Sequence, residues 1–264
     1  MIEIKNQQFY EYNVNYNLDE SLNTLLLFEN SIYAYEYSLA LAGIVKSNIY
    51  YLDEEVYEND IYFKSRIYIN NNISYIDTLD ANVLEEKLLK KYSKAFDKDY
   101  FKRIVNETKI RTLIKRGRKY KFKDDTLTLS NDILALSCMC IKCLYLPFNK
   151  LADNTLLKEE FKIKKSNIFI SALDAKEDNF LSYQDIIDKL VIFYKGKVIY
   201  LGVNDKILKI NKDSNSAHII ILKNLIYEDS NYYYVNSNIL KDNTVKGLKY
   251  KEISIFDIYK GGLV

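Results

Sequence analysis

The sequence predicts an α+β protein built from three successive regions. Polar and apolar residues alternate near the start, apolar residues recur at helical spacing after residue 80, and short β-rich runs separated by turn residues follow residue 150. We expect an N-terminal α+β part over residues 1–80, a helical middle with a basic arm or hairpin over residues 81–150, and a C-terminal antiparallel β-barrel-like part over residues 151–264.

The N-terminal part is predicted to open with a strand, because apolar residues alternate with polar ones from Tyr10 to Tyr16. Leucines spaced by three and four residues predict one or two helices over residues 19–45, capped by Asp19 or Ser21. Runs rich in Ile and Tyr predict strands at residues 48–52, 61–69 and 73–76.

The middle part is predicted to be helical. Apolar spacing indicates a helix that begins after residue 80, and Asp97 or Asp99 is suited to cap the next one. A further apolar helix is predicted over residues 131–146, where Pro147, the only proline, ends it.

The C-terminal part contains short strand-like runs at a spacing typical of a small antiparallel barrel or sandwich. Lys195 and Gly196 lie between two of these runs and predict a tight hairpin, since glycine accepts a positive φ. The candidate strands are residues 161–164, 167–171, 190–194, 197–203, 206–210, 217–222, 232–235 and 252–258.

A basic segment is the sharpest local feature of the sequence. Four of the five arginines fall between residues 103 and 118, together with several lysines, and such side chains neutralise phosphates. Tyr120 or Phe122 could stack on an unpaired base, or either could belong to the core. The predicted site for nucleic acid or a protein partner consists of Lys109, Arg111, Lys115, Arg116, Arg118, Lys119 and Lys121.

Two other interpretations of this segment stay open. It can dock on an acidic surface, such as the acidic run over residues 53–60, or it can be a solvated face. The formal net charge of +2 argues against a protein that coats polyanions with its whole surface.

No cofactor or metal site is predicted. Cys138, Cys140 and Cys143 lie in an apolar run, where cysteine behaves as a small buried hydrophobe, and only His218 could complete a zinc site with them. His218 is interpreted as a half-buried strand residue, not a catalytic base.

Classical nucleotide-binding folds are disfavoured, because neither G-x-x-x-x-G-K-[ST] nor G-x-G-x-x-G occurs. One enzymatic hypothesis survives: Glu160 and Lys162 form an E-x-K on a predicted strand, a pattern used by magnesium-dependent nucleases.

The first functional hypothesis is a non-enzymatic structural or assembly protein of a phage, or a related particle, of an AT-rich bacterium. Residue usage reflects AT-rich codons, and the 25 tyrosines suit protein interfaces. The alternatives are a nucleic-acid-binding protein with a winged-helix-like middle domain and the magnesium-dependent nuclease. We expect partners among other protein subunits, with DNA or RNA as further candidates, no membrane contact, an oligomer, and a cytoplasmic or virion location, since no signal peptide or membrane span is apparent.

Overall fold

A computed structural model describes residues 1–69, 81–107, 141–145, 155–172, 183–202, 206–213, 218–241 and 249–254. The helices are α1 (Ser31–Leu41), α2 (Asp60–Ser65), α3 (Ala81–Tyr92), α4 (Lys98–Glu107), α5 (Thr155–Ile163) and α6 (His218–Lys223), with short 3-10 helices at Gln184–Ile186 and Ser237–Lys241. The strands are β1 (Ile2–Phe9), β2 (Tyr12–Leu18), β3 (Thr24–Phe28), β4 (Ile49–Tyr51), β5 (Glu54–Glu55), β6 (Arg66–Ile69), β7 (Lys142–Tyr145), β8 (Asn167–Ala172), β9 (Lys189–Tyr194), β10 (Lys197–Gly202), β11 (Lys206–Asn211), β12 (Leu225–Glu228), β13 (Tyr232–Asn236) and β14 (Tyr250–Ser254).

A six-stranded sheet forms the centre of the described structure, in the order β10-β9-β3-β8-β7-β6. All neighbouring pairs are parallel except β9 with β10, which form an antiparallel hairpin. Because β3 comes from the start of the chain and its two neighbours come from the last hundred residues, this sheet joins distant parts of the sequence. The division at residues 80 and 150 stays a prediction.

Strand β3 carries the core on both of its faces. All five of its residues are buried. Leu25 and Leu27 belong to the apolar cluster on one side of the sheet, with helices α4 and α5, whereas Leu26 and Phe28 belong to the cluster on the other side, with α1. Side chains alternate across a strand, so one short run serves both layers.

The prediction of a helix through residues 22–28 is therefore wrong. A continuous apolar run that is buried on both faces shows neither the period of two of a half-buried strand nor the period of 3.6 of an amphipathic helix. A strand between two parallel neighbours is as completely buried as a core helix, so the apolar pattern alone does not separate the two. The helix begins only at Ser31.

A second sheet, in the order β2-β1-β4-β5, packs its apolar side against α1 and the central sheet. Its strand β2 confirms the predicted alternation, since Tyr12, Val14, Tyr16 and Leu18 are buried and the residues between them are exposed.

A third sheet, in the order β12-β13-β11-β14, is antiparallel and open. No described sheet closes on itself, so the expected C-terminal barrel-like part is not supported. Strands β8, β9 and β10, which that expectation assigned to the barrel, lie in the central sheet instead. The mixed α+β character of the chain is correct.

Four further segments differ from the predictions. Helix α2 replaces the first half of the strand expected at 61–69, and strand β7 replaces the end of the helix expected at 131–146. Helices α5 and α6 occupy positions expected as strands at 161–164 and 217–222. Each is a short apolar run whose local pattern fits a helix and a strand about equally, so that pattern does not decide its conformation. The segment 73–76 lies outside the described residues.

Candidate functional site

The junction between β3 and α1 is the candidate site. In open α/β sheets, ligands bind beyond the carboxyl ends of the parallel strands, and here β3 is the central strand, with parallel partners on both sides. Only Glu29 and Asn30 separate the end of β3 from the start of α1.

Asn30 caps the helix. Its extended backbone places the side-chain oxygen so that it accepts a hydrogen bond from the Tyr33 backbone N–H at 2.9 Å. The Asn30 carbonyl accepts from the Ala34 N–H at 3.2 Å. An asparagine in this position satisfies donors that a helix N-terminus otherwise offers to an anion.

The turn of the β1–β2 hairpin packs against the first turns of α1. The ring of Tyr10 stacks on that of Tyr33 with centroids 3.9 Å apart, and the Tyr10 hydroxyl donates to the Glu36 carboxylate. This hydrogen bond raises the pKa of Tyr10 to about 12, because the phenol must keep its proton to donate to Glu36.

The turn of the β9–β10 hairpin reaches the same place. The backbone N–H of Lys195 donates to the Glu29 carboxylate, and Lys195 and Gly196 both have positive φ. This confirms the predicted hairpin. Burial raises the pKa of Tyr12, and the nearby negative charge of Glu29 raises it further. Two hairpin turns and two carboxylates therefore meet at the carboxyl end of β3.

The site is poorly suited to phosphate. Helix α1 contains neither lysine nor arginine, and Glu29 and Glu36 contribute negative charge beside its start. Aromatic rings also cover this end: Phe28 stacks on Phe193 with centroids 4.1 Å apart. The side chains at this junction are held by packing and by helix capping. Among those described above, none is a nucleophile beside a base.

The predicted basic site lies outside the described residues. Lys109, Arg111, Lys115, Arg116, Arg118, Lys119 and Lys121 all belong to the stretch 108–140, and so do Cys138 and Cys140. The assignment of these basic residues to a partner stays a prediction.

The residues of the proposed nuclease motif are described, and they do not form it. Glu160 lies on α5, not on a strand, and its carboxylate is 4% exposed. It accepts two hydrogen bonds from Arg103, at 2.9 and 3.1 Å, and one from the Tyr100 hydroxyl at 2.9 Å. Lys162 is exposed. Glu160 thus ties α5 to α4, and both of its carboxylate oxygens accept hydrogen bonds within the protein.

Two further findings concern the described part of the chain only. His218 begins helix α6 instead of lying in a strand, and no group of three or more His, Cys, Asp or Glu side chains there could hold a metal ion. No helix in the same ranges combines the length and apolar character needed to cross a membrane.

No protein-family model matches the chain, and no curated protein sequence is similar to it. The fold is nevertheless similar to solved structures. It resembles a protein described as a cobalt transport ATP-binding protein, with a TM-score of 0.57 and 16% identity over 89% of this chain and 92% of the other. It also resembles a dimeric ATP-binding cassette in a post-hydrolysis state with ADP and phosphate, with a TM-score of 0.52 and 13% identity over 76% and 98%.

A dimeric bacterial ABC transporter cassette gives a TM-score of 0.51 and 15% identity, over 76% of this chain and 99% of the other. At these identities the likeness concerns the fold. The fold thus resembles the α/β fold of ABC ATPase cassettes, and the expectation that classical nucleotide-binding folds are disfavoured is wrong at the level of the fold.

The hypothesis of a phage structural or assembly protein is also wrong. It depended on composition and elimination, whereas the described fold resembles that of ATP-binding cassettes. A virion location is unsupported, and so are the winged-helix and nuclease alternatives. Two of these neighbours are described as dimers, so the expected protein partners are compatible with the fold, whereas the expectation of no membrane contact finds no support among these neighbours.

The nucleotide that this fold class implies can be tested against the residues present. P-loop ATPases hold phosphates with a glycine-rich loop between a strand and a helix, a lysine, and a Ser or Thr that contacts Mg²⁺. The β3–α1 junction has two loop residues, no glycine and no lysine, and the rest of the sequence contains no such motif. These residues do not fit ATP phosphates.

The sequence contained one signal for this site that was missed. The apolar run of β3, followed by Asn30 and then helical spacing, has the strand–loop–helix order of a phosphate-binding unit without its glycines. Its burial on both faces made it look like the start of the following helix.

Proposed function

We propose that this protein uses the ABC-cassette fold as a protein-docking subunit and works without binding ATP. The observation that carries this proposal is that two hairpin turns and two carboxylates meet at the β3–α1 junction. Asn30 occupies a helix N–H, Tyr33 and Tyr10 stack beside it, and the carboxylates of Glu29 and Glu36 repel phosphate.

The charges around the β3–α1 junction disfavour the binding of a nucleotide. The phosphate groups of ATP would replace hydrogen bonds already made within the protein, and no cation of α1 would offset the charge of the two carboxylates. Opening the junction would also separate the stacked pair Tyr10 and Tyr33 and remove the contact between their rings.

Thermal unfolding with millimolar Mg²⁺ and ATP tests this. A ligand at one hundred times its Kd stabilises a protein by about 2.7 kcal/mol, which at this size raises the Tm by roughly 5–10 °C. We expect a shift below about 1 °C and no release of phosphate, with a solved ATP-binding cassette as the positive control. The proposal would be overturned if ATP raised the Tm in a saturable way and if replacement of Asn30 by a residue with a large side chain abolished that rise.

The proposed partner is another protein subunit of a transporter-like assembly. A subunit that spans a membrane is among the candidates. This is supported by the solved neighbours, which include a protein described as a transport ATP-binding protein and a bacterial ABC transporter cassette. The basic segment is the proposed contact, since Arg111, Arg116 and Arg118 suit an acidic protein surface.

Fractionation of the native host tests the partner. We expect the wild-type chain to sediment with membranes and to enter a larger complex after mild detergent extraction. Replacement of Arg111, Arg116 and Arg118 by Glu is expected to release it. A wild-type chain that is found only outside the membrane fraction, at the mass of the isolated protein, would contradict the proposal.

A further inference from the structure

A cavity of about 560 Å³ lies between the end of α1, helix α2, strand β6 and the end of α3. Four aromatic side chains, Tyr62, Phe63, Tyr68 and Tyr92, contribute to its lining. Its volume lies within the range of sites that hold a small organic molecule. Two cationic residues, Arg66 and Lys91, complete the relevant part of the wall.

Arg66 is the unusual member of this wall. Its side chain is 7% exposed, its Nη2 donates to Glu20, and its guanidinium lies 3.9 Å from the ring centroid of Tyr62. Its other terminal nitrogen, Nη1, is buried and has no hydrogen-bond partner. A buried guanidinium N–H without an acceptor is costly, and an anionic ligand oxygen would remove that cost.

The charges around Arg66 also favour an anionic ligand. Glu20 is the carboxylate that pairs with it, and the same carboxylate also meets Lys142 at 3.7 Å and the amino group of Met1 at 2.9 Å. One negative charge thus faces three cations. Lys91 adds a further, exposed cation at the cavity, 5.1 Å from the ring of Tyr92.

We propose that this cavity is a binding site for a small molecule that combines an anionic group, carboxylate or phosphate, with a planar aromatic body. The anion pairs with Arg66 and Lys91, and the ring packs among the four aromatic side chains. The site is separate from the β3–α1 junction, so it stands whether or not ATP binds there.

Fluorescence titration with anilinonaphthalenesulfonate, an anionic aromatic probe, tests the site on the full chain. We expect one bound probe per chain, with the Kd rising as salt increases. Lys91→Gln should weaken binding by about fivefold, and Arg66→Lys by about tenfold, because lysine lacks the fork of guanidinium donors. Phenylnaphthylamine, which lacks the sulfonate, should bind much more weakly.

Lys87→Gln is the matched control, because Lys87 is also an exposed lysine of α3 and does not line the cavity. It should leave the Kd unchanged. If Arg66→Lys fails to fold, as judged by circular dichroism, the comparison of Lys91→Gln with Lys87→Gln decides the test.

Competition then identifies the anionic group. Displacement of the probe by benzoate supports a carboxylate ligand, and displacement by phenyl phosphate supports a phosphate ligand. The proposal is overturned if neither competes, if the probe does not bind, if the neutral analogue binds equally well, or if Lys91→Gln and Lys87→Gln behave alike.

Discussion

Asn23 shows how much one buried amide contributes at the residue scale. It directly precedes β3 and is fully buried. Its Nδ2 donates to the carbonyls of Phe161, at 2.8 Å, and Ile186, at 3.0 Å, while its Oδ1 accepts from the backbone and side-chain N–H groups of Asn167. Three separate elements are thereby fixed to the start of β3.

Asn23→Ala is therefore expected to lower the free energy of unfolding by about 4 kcal/mol, because it leaves several buried polar groups without partners. Urea unfolding followed by circular dichroism measures this. Asn15→Ala, on the exposed side of β2, is the control and should change stability by less than about 0.5 kcal/mol. Equal effects of the two substitutions would contradict the role given to Asn23.

Glu20 and Arg66 form a buried ion pair at the same scale. Burial disfavours the charged carboxylate, but Arg66, the amino group of Met1 and Lys142 together hold the pKa of Glu20 below its ordinary value of 4.5. The folded pKa is thus lower than the unfolded one, so the carboxylate contributes stability above about pH 4.5 and loses it as the pH falls.

Glu20→Gln should cost about 3 kcal/mol at pH 7, since it leaves a buried arginine without its counter-charge. The difference from wild type should narrow as the pH falls below 4.5, because only the wild-type residue titrates. Urea unfolding at several pH values measures both. Glu3→Gln, which breaks an ion pair of 2.6 Å with the half-exposed Lys5, should cost less than about 1 kcal/mol. A constant difference at every pH would refute the assignment.

At the scale of the element, Gly43 determines how α1 ends. Its φ of +73° lets its N–H donate to the Ala40 carbonyl at 3.0 Å, while the Ile44 N–H donates to Leu39 at 2.9 Å. This is a Schellman ending, which favours glycine at the left-handed position. A Cβ on Gly43 would lie 2.4 Å from the Val56 carbonyl oxygen.

A comparison of alanine substitutions at two glycines with similar φ separates the cost of backbone strain from the cost of steric contact. Gly196, at φ +68°, has room, because a Cβ there would be 3.5 Å from the nearest atom. We expect Gly196→Ala to cost about 1 kcal/mol, from conformation alone, and Gly43→Ala to cost about 3 kcal/mol or more. Thermal unfolding of both variants tests this, and equal costs would show that the space around Gly43 does not matter.

At the scale of the whole molecule, the central sheet should behave as one cooperative unit. Strand β3 is hydrogen-bonded on both edges and is buried on both faces, whereas β14 lies at the edge of the third sheet and is largely exposed. We expect amides of β3, β8 and β9 to exchange with solvent together, with opening free energies at least about 2 kcal/mol above those of β14. Hydrogen exchange followed by mass spectrometry measures this, and β3 amides that exchange as fast as those of β14 would contradict it.

The candidate site also belongs to this scale. The absence of a phosphate-binding motif is a property of the sequence alone, but the closure of the β3–α1 junction is not. Glu29 meets a turn that is 166 residues away, and Tyr10 meets Glu36 from a separate hairpin. No local pattern could place these groups together. The cavity beside Arg66 has this origin only in part, since residues 42–68 form most of its wall and Lys91, Tyr92 and Leu144 join it from later elements.

Features that depend on near neighbours along the chain could be predicted from the sequence. The alternation in β2, the cap that Asp97 provides for α4, and the tight turn at Lys195 and Gly196 all follow from short-range geometry. The tertiary structure alone decided that residues 24–28 and 142–145 are parallel strands and that 155–163 is a helix. Parallel pairing joins segments far apart along the chain, and for short apolar runs it is long-range burial, not local period, that selects strand or helix.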